Sequence, residues 1–148
     1  YSNLGTIISV KGAGFLQSVG FTGLPLVICF IVLTAGINIF IAVDSAKWAI
    51  MAPVFVPMFM RLGLSPELTQ AAYRIGDSST NIIAPLMPFF VLTVAFFQKY
   101  DKEAGIGSVI STMLPYSGAF LLGWIAMFSV WYMSGLPLGP GSPLFYGL

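Results

Sequence analysis

The chain has 148 residues, 57% of them hydrophobic and only 7% charged, with six Lys and Arg against five Asp and Glu. A mean hydropathy of +0.93, against the roughly 25% charge of soluble domains, marks an integral membrane protein, and the balanced charge leaves neither a basic patch for nucleic acid nor an acidic tail. The absence of His and the single Cys, Cys29, exclude within this chain a disulfide framework, a Cys/His metal site and a Ser-His or Cys-His nucleophile pair.

The N-terminal stretch lacks the basic segment, short apolar core and small-residue cleavage site of a signal peptide. It begins at Tyr1 rather than Met, which reads as a fragment of a longer membrane protein, so function belongs to the parent. Residues 1–21 mix Leu4, Ile7, Ile8, Phe15, Leu16 and Val19 with Ser9, Lys11, Gln17 and Ser18. That suits an amphipathic helix in the membrane interface, or else the end of a truncated helix.

Residues 22–64 pose a choice. Gly23 to Val43 is apolar and uncharged, and at ~1.5 Å per residue it can cross ~30 Å of hydrocarbon. Asp44-Ser45-Ala46-Lys47-Trp48 follows, and the next uncharged run, Ala49 to Met60 with Pro53 and Pro57, is too short for a full crossing. A long arm, a polar tip at 44–48 and a shorter arm describe a re-entrant helical hairpin, whose tip would line a cavity at depth. The alternative is two spans joined by a loop at the surface.

Residues 65–98 read as a broken transmembrane helix. Ser65-Pro66-Glu67 is a helix start, with Ser as N-cap, Pro at the first position and an acid in the first turn. A helix is expected from there to Ile75. The Gly, hydroxyls and prolines of 76–85 predict a break that leaves oxygens free to bind a ligand. An apolar half-helix then runs to the charged loop at 99–105. Residues 106–135 form a final span with Pro115, Trp124, Trp131 and Tyr132, and 136–148 is a Pro- and Gly-rich tail that cannot be helical. The positive charges tie between the two sides and only weakly place Lys99 to Glu103 in the cytoplasm.

A carboxylate inside a membrane must be paired, hydrated or protonated, so Asp77 is a functional candidate. With hydroxyls such as Ser78 and exposed carbonyls it could hold a coupling cation or carry a proton. Its structural alternative is to cap the second half-helix or pair with Arg74. Arg74 suits a substrate carboxylate, or else neutralises Asp77 or snorkels to the interface. Trp48 offers a flat face for an aromatic ligand, or belongs to the interfacial belt. Asn38 offers an oxygen to a hard cation, or joins helices.

At Trp48-Ala-Ile-Met-Ala-Pro-Val-Phe-Val-Pro-Met-Phe-Met60, Ala72-Tyr-Arg-Ile-Gly-Asp-Ser-Ser-Thr-Asn-Ile-Ile-Ala-Pro85, Gly105-Ile-Gly107 and Leu114-Pro-Tyr-Ser117 the chain resembles the p-aminobenzoyl-glutamate transporter (AbgT) family. The resemblance runs through essentially the whole chain. It implies an all-α integral membrane protein, here the C-terminal inverted repeat of a secondary transporter with a re-entrant hairpin and a broken helix. It further implies a multi-pass homodimer in lipid of the bacterial inner membrane, with the remainder of the parent completing the site. Such a protein imports p-aminobenzoyl-glutamate or exports sulfonamide-type antimetabolites, driven by sodium or protons and without another cofactor. Substrate-binding positions carry over to Ser45, Trp48, Pro66, Arg74, Asp77 and Pro85. Ion coupling carries over to Asn38, Asp77 and Ser78, with Asn38 and Asp77 as sodium ligands. Asp44 departs from the small residue many relatives carry there. The substrate's carboxylates would want Arg74, half-helix N-termini or Lys47. Two rivals are a dicarboxylate or anion transporter of the same plan and an intramembrane aspartyl protease built on Asp44 and Asp77. Against the protease, Asp77 follows Arg74-Ile75-Gly76 rather than Gly-x-Gly, and Asp44 follows Val43 rather than Tyr.

Overall fold

The computed structural model describes residues 4–41 and 43–146, with side chains from residue 7 onward. Its elements are α1 (Leu4–Ser18), α2 (Leu24–Phe40), α3 (Asp44–Arg61), α4 (Pro66–Thr80), a 3-10 turn (Asn81–Ile83), α5 (Pro88–Gln98) and α6 (Ile106–Ser134). No β-strand occurs among the described residues, where only the isolated bridges Leu64 to Phe145 and Gly139 to Ser142 pair extended backbone.

Two stretches, Pro66–Gln98 and Ile106–Ser134, are long and apolar enough to cross a membrane. At 29 residues, α6 extends about 43 Å, ample for ~30 Å of hydrocarbon. Its large side chains Leu122, Val130 and Met133 face outward.

The centre of the fold is the contact of α2 with α4. On α2, Val27, Ile31, Thr34 and Asn38 are all fully buried, and their spacing of four, three and four places them on one helical face. The face becomes polar toward its C-terminal end. Opposite lies Gly76 of α4, where a Cβ would collide with the Ile31 carbonyl oxygen and sit 2.9 Å from Thr34 Cβ and 3.1 Å from Ala35 N. Only glycine lets the two backbones approach this closely.

Helix α3 folds back along α2, with the Phe30 ring 4.8 Å from Phe55 and 5.0 Å from Phe59 between centroids. The arms differ from the expected long and short pair: α2 has 17 residues and α3 has 18. The polar run from Asp44 to Trp48 is not a loop but the first turns of α3. An acid in a first turn is favoured by the helix dipole; between the arms Ile41 and Val43 are both extended, and residue 42 lies outside the described residues. Helix α1 packs along α3 through Ser9, Gly12 and Ala13, while Ile8 and Phe15 face outward. Its buried face is therefore small rather than bulky.

The interruption after α4 also lies later than expected. The helix continues through Gly76 to Thr80 because its hydroxyls do not compete with the backbone ladder. Ser78 Oγ donates to Arg74 O, Ser79 Oγ to Ile75 O at 2.7 Å and Thr80 Oγ1 to Gly76 O at 3.0 Å, each one turn back. The break instead begins at Asn81, ahead of Pro85, and ends at Pro88. Ala84 before Pro85 and Met87 before Pro88 are both extended, with ψ of 104° and 133°, as the clash with a following proline ring requires.

The start of α4 carries a side-chain cap: Ser65 is extended and its Oγ accepts from Leu68 N at 3.2 Å, with Pro66 in the first turn. The tail returns to this corner, where Ser65 N donates to Leu144 O at 3.1 Å and Tyr146 N to Gly63 O at 2.9 Å.

Candidate functional site

The first turns of α3 and the middle of α4 together enclose a pocket of about 500 Å³ lined by Asp44, Ser45, Trp48, Gln70, Tyr73 and Arg74. On α4, positions 70, 73, 74 and 77 share one side of the helix. On α3, positions 44, 45 and 48 do the same. The expected residues Ser45, Trp48 and Arg74 therefore meet. The Trp48 and Tyr73 rings lie 4.7 Å apart, tilted by 51°, and Tyr73 Oη donates to the Asp44 backbone carbonyl at 2.8 Å. That bond fixes α3 to α4 at the mouth of the pocket. Asp44 Oδ1 is buried and has no hydrogen-bond partner, and Asp44 borders the same pocket as the exposed Arg74.

Behind Tyr73 lies a second, drier layer. Asp77 is 1% exposed and Lys47 is 1% exposed, and the two form an ion pair. The same Lys47 ammonium donates to Asn38 Oδ1 and lies 5.6 Å from the Tyr73 ring centroid. The Asn38 amide NH2 points the other way, toward Asp77 O at 2.9 Å, Thr80 Oγ1 at 3.0 Å and Asn81 Oδ1 at 2.7 Å. Turning the amide over would set its NH2 against the ammonium and its oxygen against other oxygens, so these partners determine its orientation. One asparagine thus joins α2, α3 and α4 to the turn that follows α4.

Asp77 does not pair with Arg74, and Lys47 is not free to meet a substrate. Both sequence alternatives give way to an ion pair that spans α3 and α4. The Oδ1 atoms of Asn38 and Asp77, expected as sodium ligands, are both engaged by the Lys47 ammonium. Ser78 is exposed and stands apart from Asn38 and Asp77, on the wall of another cavity. That cavity, of about 390 Å³ between α4 and α6, is bordered by Arg74, Ile75, Ser78, Trp124, Phe128 and Trp131 among others. Pro66 heads α4, and Pro85 sits in the connection after it. Neither lines the polar pocket.

Sequence reasoning passed over Gln70 and Tyr73. Tyr73 had a legible signal, since it lies one turn before Asp77 and next to Arg74, where a helix presents it to the same side. The aspartyl dyad of the rival protease reading is absent: Asp77 is bound to Lys47, and Asp44 Oδ1 has no hydrogen-bond partner.

The sequence matches the model of the AbgT transporter family over residues 1–146. It is 43% identical over 141 residues to the p-aminobenzoyl-glutamate transport protein of Escherichia coli, a match covering 95% of this chain and 28% of that protein. Among solved structures it is similar to the YdaH transporter of Alcanivorax borkumensis, with a TM-score of 0.88 and 56% identity over 95% of this chain and 30% of that one. MtrF of Neisseria gonorrhoeae, described as illuminating a class of antimetabolite efflux pumps, gives a TM-score of 0.82 at 56% identity over 95% of this chain and 28% of its own. The chain thus spans about 28% of the length of the curated relative it matches. These relatives are transporters and not enzymes. With the match running through α1 to α6 and through both walls of the pocket, the chain belongs to the AbgT transporter family.

Proposed function

We propose that the parent of this chain is an ion-coupled secondary transporter of p-aminobenzoyl-glutamate, of sulfonamide-type antimetabolites, or of both, working as a homodimer in the bacterial inner membrane. In this reading α2 and α3 form a re-entrant hairpin, α4 and α5 the halves of a broken transmembrane helix, and the chain one of two inverted repeats. The observation that carries it is the pocket that brings Trp48, Arg74, Ser45 and Asp44 together.

The chemistry of the pocket matches the parts of such a substrate. The Trp48 face, already tilted against Tyr73, takes an aromatic ring. Arg74 presents a planar fork of donors that a carboxylate accepts in bidentate fashion. Asp44, which borders the pocket, supplies a carboxylate that accepts from an arylamine. Opposite charges beside an aromatic wall select a ligand that is itself aromatic, amine-bearing at one end and acidic at the other. Transport then follows from moving α2 and α3 against α4, with the buried ion pair at the joint. The names of the relatives support the same substrate class.

The test is flux of p-aminobenzoyl-glutamate by the full-length parent in proteoliposomes, with sodium and proton gradients imposed separately. Asp77→Ala is expected to abolish gradient-driven flux while the protein still inserts in the membrane. Unchanged flux in that variant, or succinate competing as well as p-aminobenzoyl-glutamate, would overturn the proposal, and the second result would favour a dicarboxylate carrier.

A further inference from the structure

We infer that the ammonium of Lys47 is the resident cation of the site formed by Asn38 and Asp77, a tethered charge standing where a free monovalent cation would otherwise bind. The inference rests on the transporter reading for its consequence, but its geometry stands by itself. A hard-cation site in a membrane needs a carboxylate, one or more neutral oxygens and exclusion of water. All three are present here. Asp77 supplies the carboxylate and Asn38 the amide oxygen, both essentially closed to solvent, and α2 packs over them at Gly76.

What the site holds is Nζ of Lys47, donating to both oxygens. The remaining polar atoms are arranged around that occupant. Asn38 turns its oxygen to the ammonium and commits its NH2 to the backbone carbonyl of Asp77 and the side chains of Thr80 and Asn81. The Tyr73 ring contributes the negative face of its π-system 5.6 Å from Nζ. A sodium ion bound to the same two Oδ1 atoms would lie within a hydrogen-bond length of the ammonium. Two positive charges at that separation in a dry site repel strongly, so sodium and Lys47 exclude one another. The further charges that act on Asp77 are those of Asp44 and Arg74, which are of opposite sign.

The consequence is that the site is neutral without any ion from solution. Full-length parent should therefore bind no sodium here, and replacing Lys47 by a neutral side chain with an oxygen should create sodium binding. The experiment is the thermal unfolding midpoint of purified full-length protein in detergent, titrated with sodium chloride against choline chloride at equal ionic strength. Specific binding to the folded state raises the midpoint with concentration. We expect no sodium-specific rise in the wild type that Asp77→Asn removes, and a saturable Asp77-dependent one in Lys47→Gln, whose amide oxygen joins those of Asn38 and Asp77. The double variant Lys47→Gln/Asp77→Asn, which removes both charges together, should again show none.

Two results overturn the inference. One is a saturable sodium-specific rise in the wild type that Asp77→Asn removes. The other is a folded Lys47→Gln protein with no response to sodium, which would reduce Lys47 to a structural partner of Asp77. Should Lys47→Gln fail to fold, the wild-type titration still decides. No substrate enters these measurements, so failure here is separable from failure of the proposed transport activity.

Discussion

Neutralising Asp77 alone should destabilise the protein more than neutralising Asp77 and Lys47 together. The side chains of Lys47 and Asp77 are 1% and 2% exposed, so Asp77→Asn strands an ammonium in a dry environment. Removing one partner of such a pair costs about 3–5 kcal/mol, whereas replacing both by neutral groups of similar volume is often close to neutral. Lys47→Met strands the carboxylate and should cost a similar amount. In the double variant the amide introduced at position 77 can donate its NH2 to Asn38 Oδ1, which restores a partner to the one oxygen the ammonium had satisfied. A double-variant cycle should therefore give a coupling energy of several kcal/mol, well above the ~1 kcal/mol typical of exposed pairs. Against a total stability of about 5–15 kcal/mol, each single change is a large fraction. The assay is denaturant unfolding of the full-length protein in mild detergent, followed by helix content, for the wild type and all three variants. Additive losses, with coupling under about 1 kcal/mol, would refute the claim that Lys47 and Asp77 depend on each other for burial.

Other expectations test the helix contacts and the pocket. Gly76→Ala should destabilise by at least ~1–3 kcal/mol, because its Cβ would meet α2 backbone and lie 2.9 Å from Thr34 Cβ; unchanged unfolding would mean that α2 and α4 are not so close. Trp48→Ala should weaken transport of aromatic substrates by about tenfold, from the ~1.4 kcal/mol of a lost ring contact, while sparing aliphatic competitors. Equal loss across substrates would instead assign Trp48 to holding Tyr73 in place. Ser65→Ala should cost about 1 kcal/mol of stability, since it orphans Leu68 N, with substrate affinity unchanged; an affinity change would extend the site to the start of α4.

The sequence announces the pocket better than it announces the ion pair. Ser45 and Trp48 stand three apart on a helix, as do Gln70 and Tyr73, so local spacing alone aligns each wall. Lys47 and Asp77 are thirty positions apart, and their meeting depends on the glycine contact of α4 with α2, which no local pattern encodes. By its neighbours Lys47 reads as a solvent-facing charge, and Ser45 and Ala46 beside it are indeed exposed. The hydroxyl run misleads for a different reason. Serine and threonine favour breaks when they bond to their own or forward backbone, but in a helix they bond backward to the preceding turn, and composition does not distinguish these. Proline is the better guide, since its ring geometry restricts the residue before it whatever the surroundings. The corner at Ser65 is plain from the chain, whereas the return of the tail to that corner is not.

That return gives α4 and α6 a common anchorage. Backbone bonds from Ser65 to Leu144 and from Tyr146 to Gly63 fasten the segment beyond α6 to the hinge between α3 and α4, closing α4, α5 and α6 into a mechanical loop. Ser117 of α6 also donates to the Ser79 carbonyl at 2.7 Å, so α6 is tied to α4 at two levels. A helix pinned at its base and braced near its tip resists sliding along α6, while α2 and α3 meet α4 through the Gly76 contact and the Asn38 and Lys47 bonds. Displacement of α3 past a fixed α4 would shear the Tyr73 bond to Asp44 and the Lys47 bridge to Asp77 together, making the pocket wall and the buried charge parts of one latch.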